Sequence, residues 1–220
     1  MQHSLVLRLH AAGALHPSSG TAGASIVMLD FSPDRDEATT MLKRSDDRIV
    51  VGGQTAFGGI YNWCFFGLTA GELADPAFAP PTSLVTGSGQ NSGRFYDQVL
   101  DGQGRSLFCG SWVGNGAVKR CLPNATADLT FGVNGYENAP PATGMTYHAL
   151  VTDDQGWIFV VGSKGSGPST NKSCTIRYSP NGSFDNIYGN ADLSDLHLCA
   201  GITELFTAVV VDACSSLGKP

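Results

Sequence analysis

Two short segments recur along this chain in a fixed order, at intervals of 52 to 57 residues. The first is Asp47-Arg48-Ile49-Val50-Val51-Gly52-Gly53. It returns as Gly104-Arg105-Ser106-Leu107-Phe108-Cys109-Gly110 and as Gly156-Trp157-Ile158-Phe159-Val160-Val161-Gly162. Each copy reads as a turn leading into a short apolar run that ends on glycine. The second is Gly182-Ser183-Phe184-Asp185-Asn186-Ile187-Tyr188-Gly189, echoed by Ala127-Asp128-Leu129-Thr130-Phe131-Gly132 and by Asp75-Pro76-Ala77-Phe78. A period this long, built only of strand and turn signals, restricts the chain to an array of similar β-units.

Composition agrees. Charged residues make up 15% of the chain, well below the usual quarter, and 28 glycines punctuate it. No long stretch is rich in the good helix formers Ala, Leu, Glu, Lys and Arg, so many short strands are expected. The formal net charge of -6 leaves no basic stripe for phosphates, which argues against nucleic acid and against electrostatic attachment to an anionic surface. No apolar run is long enough to predict a membrane span. Met1-Gln2-His3 lacks the basic-then-apolar pattern of a secretory leader, as expected if a leader has been trimmed.

The clearest unit covers about 145–192. Tyr147–Val151, Trp157–Val161 and Ser173–Tyr178 read as three strands, with turns at 152–156 and 179–182, and 183–190 leads toward a fourth. Similar units cover about 36–80 and 94–134. A single four-stranded antiparallel meander has two apolar faces and cannot hide both alone; stacking such sheets around an axis covers them. The expected fold is therefore all-β, a single β-propeller domain of about four four-stranded blades. Residues 5–13 read as a third strand with its turn, and 206–212 as a first strand. The terminal segments 4–30 and 204–213 are expected to form one split blade, closed within the chain or completed by a second chain. Cys214-Ser215-Ser216-Leu217-Gly218 is a poor second strand, which leaves an incomplete blade as the alternative and self-association through it as a consequence.

The succession of Val50-Val51-Gly52-Gly53 and Ile176-Arg177-Tyr178-Ser179-Pro180-Asn181-Gly182-Ser183-Phe184-Asp185-Asn186-Ile187-Tyr188-Gly189 resembles the delta-60 repeat, a bacterial β-propeller-like family. The match is best over Arg177–Gly189. Asp47-Arg48 and Gly156-Trp157 depart from that family's Asp-Gly-Lys turn, and His16-Pro17-Ser18-Ser19-Gly20 is a degraded copy of its second half. The resemblance implies a propeller-like fold. It carries no activity or cofactor onto these residues.

The six cysteines, Cys64, Cys109, Cys121, Cys174, Cys199 and Cys214, contain no CxxC pair, so a zinc or redox motif is not expected. Cys109 and Cys121 fall on consecutive strands and are expected to bond across them; Cys199 and Cys214 are expected to tether the C-terminal segment. Disulfides would make the protein secreted or cell-surface, whereas buried free thiols are the competing reading. Asn124-Ala125-Thr126, Asn171-Lys172-Ser173 and Asn181-Gly182-Ser183 match the glycosylation acceptor pattern.

Asp75, Asp128 and Asp185 recur at one phase of the repeat. Two readings compete: a ring of carboxylates that binds a cation or sugar hydroxyls, and a turn cap repeated in each unit. Arg8, Arg120 and Arg177 recur as well and are expected to pair with those aspartates between blades. Trp112 and Tyr136 are the candidates for stacking on a sugar ring or an apolar peptide side chain. The segments 53–62, 79–94 and 132–144 are expected to be the recognition loops. No catalytic constellation stands out. His3, His10, His16, His148 and His197 have no helical pairing, no Gly-x-Ser-x-Gly sits at a strand-to-helix elbow, and Thr86-Gly87-Ser88-Gly89 lacks the ending of a phosphate loop. The reading is a noncatalytic, cofactor-free, exported module that binds a protein or a glycan. Its rivals are a hydrolase with carboxylates at the ring mouth, a two-carboxylate glycosidase among them, and a structural or assembly module.

Overall fold

A computed structural model describes residues 4–17, 24–27, 35–71, 73–78, 93–139, 144–165, 172–188, 194–195 and 208–209. All regular elements among them are strands, arranged in antiparallel sheets. An N-terminal pair joins β1 (Ser4–Leu7) to β2 (Ala24–Val27). Sheet A contains β3 (Arg35–Lys43), β4 (Ile49–Phe57) and β5 (Ile60–Leu68) in chain order. Sheet B contains β6 (Phe95–Leu100), β7 (Ser106–Trp112), β8 (Asn115–Cys121) and β9 (Tyr136–Asn138). Sheet C contains β10 (Met145–Thr152), β11 (Ile158–Lys164), β12 (Lys172–Tyr178) and β13 (Ser194–Asp195). Within each sheet every strand pairs with the next in the chain, which makes each one a meander. No helix among the described residues is long and apolar enough to cross a membrane.

The repeated glycine has one cause in all three sheets. Gly53, Gly110 and Gly162 pair with Ala38, Phe95 and Tyr147, and the ladder slips by one residue immediately afterwards. The bulge tips a carbonyl onto the glycine. A Cβ there would lie 1.9 Å from the Glu37 oxygen, 2.0 Å from that of Arg94 and 2.0 Å from that of Thr146. Only glycine tolerates that approach. The residues pushed out by the bulge are Thr39, Tyr96 and His148.

The end of the third strand is equally regular. Leu68, Cys121 and Tyr178 each bridge to the residue six positions on, and so does Leu9. The amide of the following residue (Thr69, Leu122, Ser179, His10) closes each turn. Register extends the equivalence: Leu5 pairs with Ile26, Ala117 with Asn138 and Cys174 with Asp195, always 21 residues apart. The N-terminal pair thus comprises the third and fourth strands of a unit, as expected for its first half. Its expected complement at 204–213 falls outside the described residues except at 208–209.

The sheets pack in series. One apolar cluster joins Trp63 and Phe65 of sheet A to Phe95, Phe108, Ala117 and Cys121 of sheet B. A larger one joins Leu107, Cys109, Val118 and Phe131 of sheet B to Met145, Tyr147, Ile158, Val160, Ile176 and Tyr178 of sheet C. Sheet B is therefore covered on both faces. At about 1.5–3 kcal/mol per large apolar side chain, these seams provide the principal stabilisation. Polar groups pin them: the Gln98 amide donates to the Val50 carbonyl at 3.1 Å, and the Leu150 amide to Asp97 at 3.1 Å. The first strands β3, β6 and β10 are neighbours in turn. No closed ring or barrel is formed by the described residues.

Two expectations are corrected. Cys109 and Cys121 do not bond; both thiols are buried and outside any disulfide, as are those of Cys64 and Cys174. Cys121 faces Ser106 in the ladder while Cys109 faces Val118, three positions away, so the alternation of a strand sends the two thiols to opposite faces of sheet B. The second expected pair, Cys199 and Cys214, lies outside the described residues. The segment 53–62 is a hairpin rather than a loop, because β4 and β5 continue through it to a two-residue turn in which Gly58 and Gly59 both have positive φ.

Candidate functional site

Trp112 and Tyr136 are brought together. Tyr136 on β9 lies directly opposite Lys119 on β8, and Trp112 ends the neighbouring strand β7. The Lys119 Nζ lies 5.2 Å from the Trp112 ring centre, 5.6 Å from that of Tyr136 and 5.6 Å from that of Trp63, which comes across from sheet A. Three ring faces directed at one ammonium form a cation–π box. Trp63 is fully buried and belongs to the seam; Trp112 and Tyr136 are half-buried and keep part of their rings at the surface.

Local backbone fixes Trp112. A Cβ on Gly93 would fall 2.3 Å from its ring, so the chain entering sheet B must be bare at that point. The Gly93 amide donates to the Tyr61 carbonyl at 2.9 Å, and the Arg94 guanidinium stands 4.8 Å above the Tyr61 ring. Tyr61, Arg94 and Trp112 therefore gather at the hairpin ends of sheets A and B. Burial pushes the Lys119 ammonium down to about 8, against a weaker upward pull from Cys121. Burial also raises the carboxyl of Glu137, beside Tyr136 on β9.

The three aspartates are built into their turns. In each, Oδ1 accepts the amide two residues on: Ala77 at 2.9 Å, Thr130 at 3.1 Å and Ile187 at 3.0 Å. The Oδ2 atom faces arginine. Asp75 meets Arg48 at 3.3 Å, Asp128 meets Arg120 at 2.8 Å and Arg105 at 3.6 Å, and Asp185 meets Arg177 at 2.7 Å. Burial opposes the Asp128 charge, but the Thr130 hydroxyl and amide and the Arg120 guanidinium outweigh it and lower its carboxyl below the usual range. The Arg177 guanidinium and the Ile187 amide do the same for Asp185. With both oxygens engaged at each position, Asp75, Asp128 and Asp185 act as clamps within their own sheets. Among the described residues, no group of three or more His, Cys, Asp or Glu gathers as a cation site.

The arginines are expected to pair with aspartates between blades. Arg120 and Arg177 instead pair within one sheet. The link between units is a guanidinium on a turn carbonyl. Arg8 donates to Ala70 at 3.2 Å, Arg44 to Pro123 at 2.8 Å, and Arg120 to Pro180. Ala70, Pro123 and Pro180 all stand two residues after the bridged end of the third strand. Sheet A uses Arg44 because Gly67, its equivalent of Arg120, has no room: a Cβ there would meet the Phe78 ring at 2.5 Å.

Comparison with protein-family models gives no match, and no curated protein matches the chain.

Lys119 escapes a reading for motifs, yet a signal exists. At its phase the other units carry Leu7, Phe66 and Ile176. A lysine at an inward, otherwise apolar position of a repeat is out of pattern. Tyr96 and His148 are a second such pair. As bulged residues of adjacent first strands they meet with ring centres 4.9 Å apart, and His148 Nε2 lies 3.3 Å from the Ser163 hydroxyl. Burial lowers the His148 imidazole, which favours its neutral form.

Proposed function

We propose that the chain is a noncatalytic binding module of delta-60-like, propeller-type architecture that holds a glycan on the Trp112–Tyr136 platform. The serial sheets, the shared bulge and the recurring guanidinium-to-carbonyl link support the propeller part. The observation that carries the binding part is the convergence of two half-exposed rings, from different strands, on the Lys119 ammonium. A sugar ring offers a C–H face to aromatic faces and hydroxyls or a carboxylate to the ammonium. Rigid strands hold all three groups, so little order is lost when a ligand binds. A glycan of this kind is met outside the cell. That is the remaining support for a secreted or cell-surface location, since none of the four described cysteines forms a disulfide.

A glycan array followed by titration calorimetry tests this reading. Trp112→Ala and Tyr136→Ala should each weaken a glycan hit at least tenfold while the melting curve stays within a few degrees. An array without hits defeats the glycan reading and transfers the platform to a protein ligand.

A further inference from the structure

Sheet B and sheet C have equivalent outward faces; among the described residues that of sheet C is covered at Val161, 5% exposed, but only in part at Trp157, Phe159 and Arg177. On sheet B, Arg105, Leu107, Cys109 and Arg120 face sheet C, with Phe131 above the guanidinium at 4.6 Å. On sheet C the same places hold Trp157, Phe159, Val161 and Arg177, with Tyr188 4.8 Å above the guanidinium. Trp157 closes the other side at 4.5 Å. The Arg120 side chain is 4% exposed because the Pro180 turn of sheet C lies on it; the Arg177 side chain is 29% exposed. Among the described residues Arg177 bonds only its own Asp185.

The N-terminal pair is deficient on the opposite face. Leu7 and Leu9 are 47% and 55% exposed. Their equivalents Phe66 and Leu68, and Ile176 and Tyr178, are buried, the last two against sheet B. Leu15, which bridges to Leu9, is exposed too. The turn above them is intact: the His10 amide bonds the Ala14 carbonyl at 2.8 Å and the Gly13 amide the His10 carbonyl at 2.8 Å. Ala11 holds the place of Ala70, Pro123 and Pro180, the carbonyl that receives an arginine at each seam inside the chain.

We propose that these two faces are partners between copies of this chain: the Leu7–Leu15 turn of one copy seats on sheet C of a second copy, with the Ala11 carbonyl accepting from Arg177. The interface continues one that the molecule already makes at each seam between its own units. It is heterologous, head to tail, so two open arcs joined this way either close as a pair or extend. The face lies apart from the Trp112–Tyr136 platform at the seam of sheets A and B, and loss of glycan binding leaves it untouched.

The test is sedentation-equilibrium mass of the full 220-residue chain from about 1 to 500 μM, with far-ultraviolet dichroism as the folding control. Mass should rise with concentration to twice that of one chain or more. Arg177→Ala, Trp157→Ala and Leu9→Asp should each weaken association at least tenfold without changing the dichroism. Mixing Arg177→Ala with Leu9→Asp should restore a heterodimer, because each variant keeps the face the other has lost. A single-chain mass at every concentration overturns the proposal, including the case where the faces meet within one chain. Association that persists in both variants also overturns it, as does a mixture that fails to complement.

Discussion

Arg120 and Arg177 occupy one position of the repeat, clamp an aspartate eight residues on and stand beside an aromatic ring, yet their surroundings differ. Arg120 sits beneath the next sheet and spends its second nitrogen on the Pro180 carbonyl; Arg177 keeps a face toward solvent. The residue type is the same, so the difference comes from what lies on top. The chain builds each unit to receive another, and the last described unit is built no differently. Gly67 is the instructive exception. Where Phe78 fills the guanidinium's place, the neighbouring Arg44 takes over the carbonyl, so the link survives although the residue that makes it has moved.

The largest difference should appear on removing Arg120. Arg120→Ala strips a buried guanidinium from Asp128, leaving Arg105 at 3.6 Å as its cationic partner beside the Thr130 amide and hydroxyl, and frees the Pro180 carbonyl. Breaking a buried pair from one side costs about 3–5 kcal/mol. Residual pairing with Arg105 should hold this to the lower end, about 3 kcal/mol, read as a shift in the urea midpoint at constant slope.

The bulge glycines should ignore coverage altogether. Gly110 lies in the doubly covered sheet and Gly162 in the last one, but both face a carbonyl oxygen 2.0 Å from where a Cβ would be. Gly110→Ala and Gly162→Ala should each cost on the order of 2–3 kcal/mol, because a backbone carbonyl must move and the ladder with it. A marked deficit at Gly162→Ala would mean that sheet C relaxes where sheet B cannot, and the comparison would then rest on rigidity rather than on burial.

Those glycines show how far the sequence was legible. Their period exposed the units, and the half-unit at residues 5–13 was recognisable because a third strand and its turn read alike anywhere. Faces were harder. Cys109 and Cys121 read as neighbours on a hairpin, but an odd ladder offset separates them, and offsets depend on a turn whose residues the motif does not specify. Segment 53–62 reads as a loop because Gly53, Gly58 and Gly59 dilute its strand signal, although Gly53 serves a close approach inside the sheet. Trp112 and Tyr136 were visible as candidates, but their meeting was not, since β7 and β9 lie on either side of the lysine strand. Lys119 itself violates the apolar phase, and its value shows only once the rings are placed around it.

Lys119 is a charge under cover, the counterpart of the half-exposed Arg177. Its folded value of about 8 lies below the ordinary lysine value near 10.4, so between those limits the unfolded chain holds a proton that the native chain has lost. Stability therefore rises with pH across that window, and the burial penalty is fully present below it. Lys119→Met should be the more stable protein at pH 7, by on the order of 2 kcal/mol, with the advantage shrinking from pH 8 to 10. The difference between the two proteins is the quantity to measure. Thiols that burial pushes up to about 12, Cys64 and Cys121, favour the opposite trend in both.

The smallest effect belongs to Arg177 in the isolated chain. At concentrations too low for association, Arg177→Ala removes a half-exposed ion pair and three ring contacts, and the Tm should fall by no more than about 3 °C. Acid brings out the remainder. Arg177 and the Ile187 amide hold the Asp185 carboxyl below its usual range, so the stabilisation is present above that range and is lost as pH falls through the lowered value. Without Arg177 the carboxyl should titrate nearer the ordinary aspartate value, and the acid limb of the stability curve should begin at higher pH. Carboxyl-carbon NMR of Asp185 in both proteins reads that displacement directly. An unchanged titration would mean that the backbone turn alone holds the carboxylate, leaving the guanidinium of the last sheet free for whatever seats upon it.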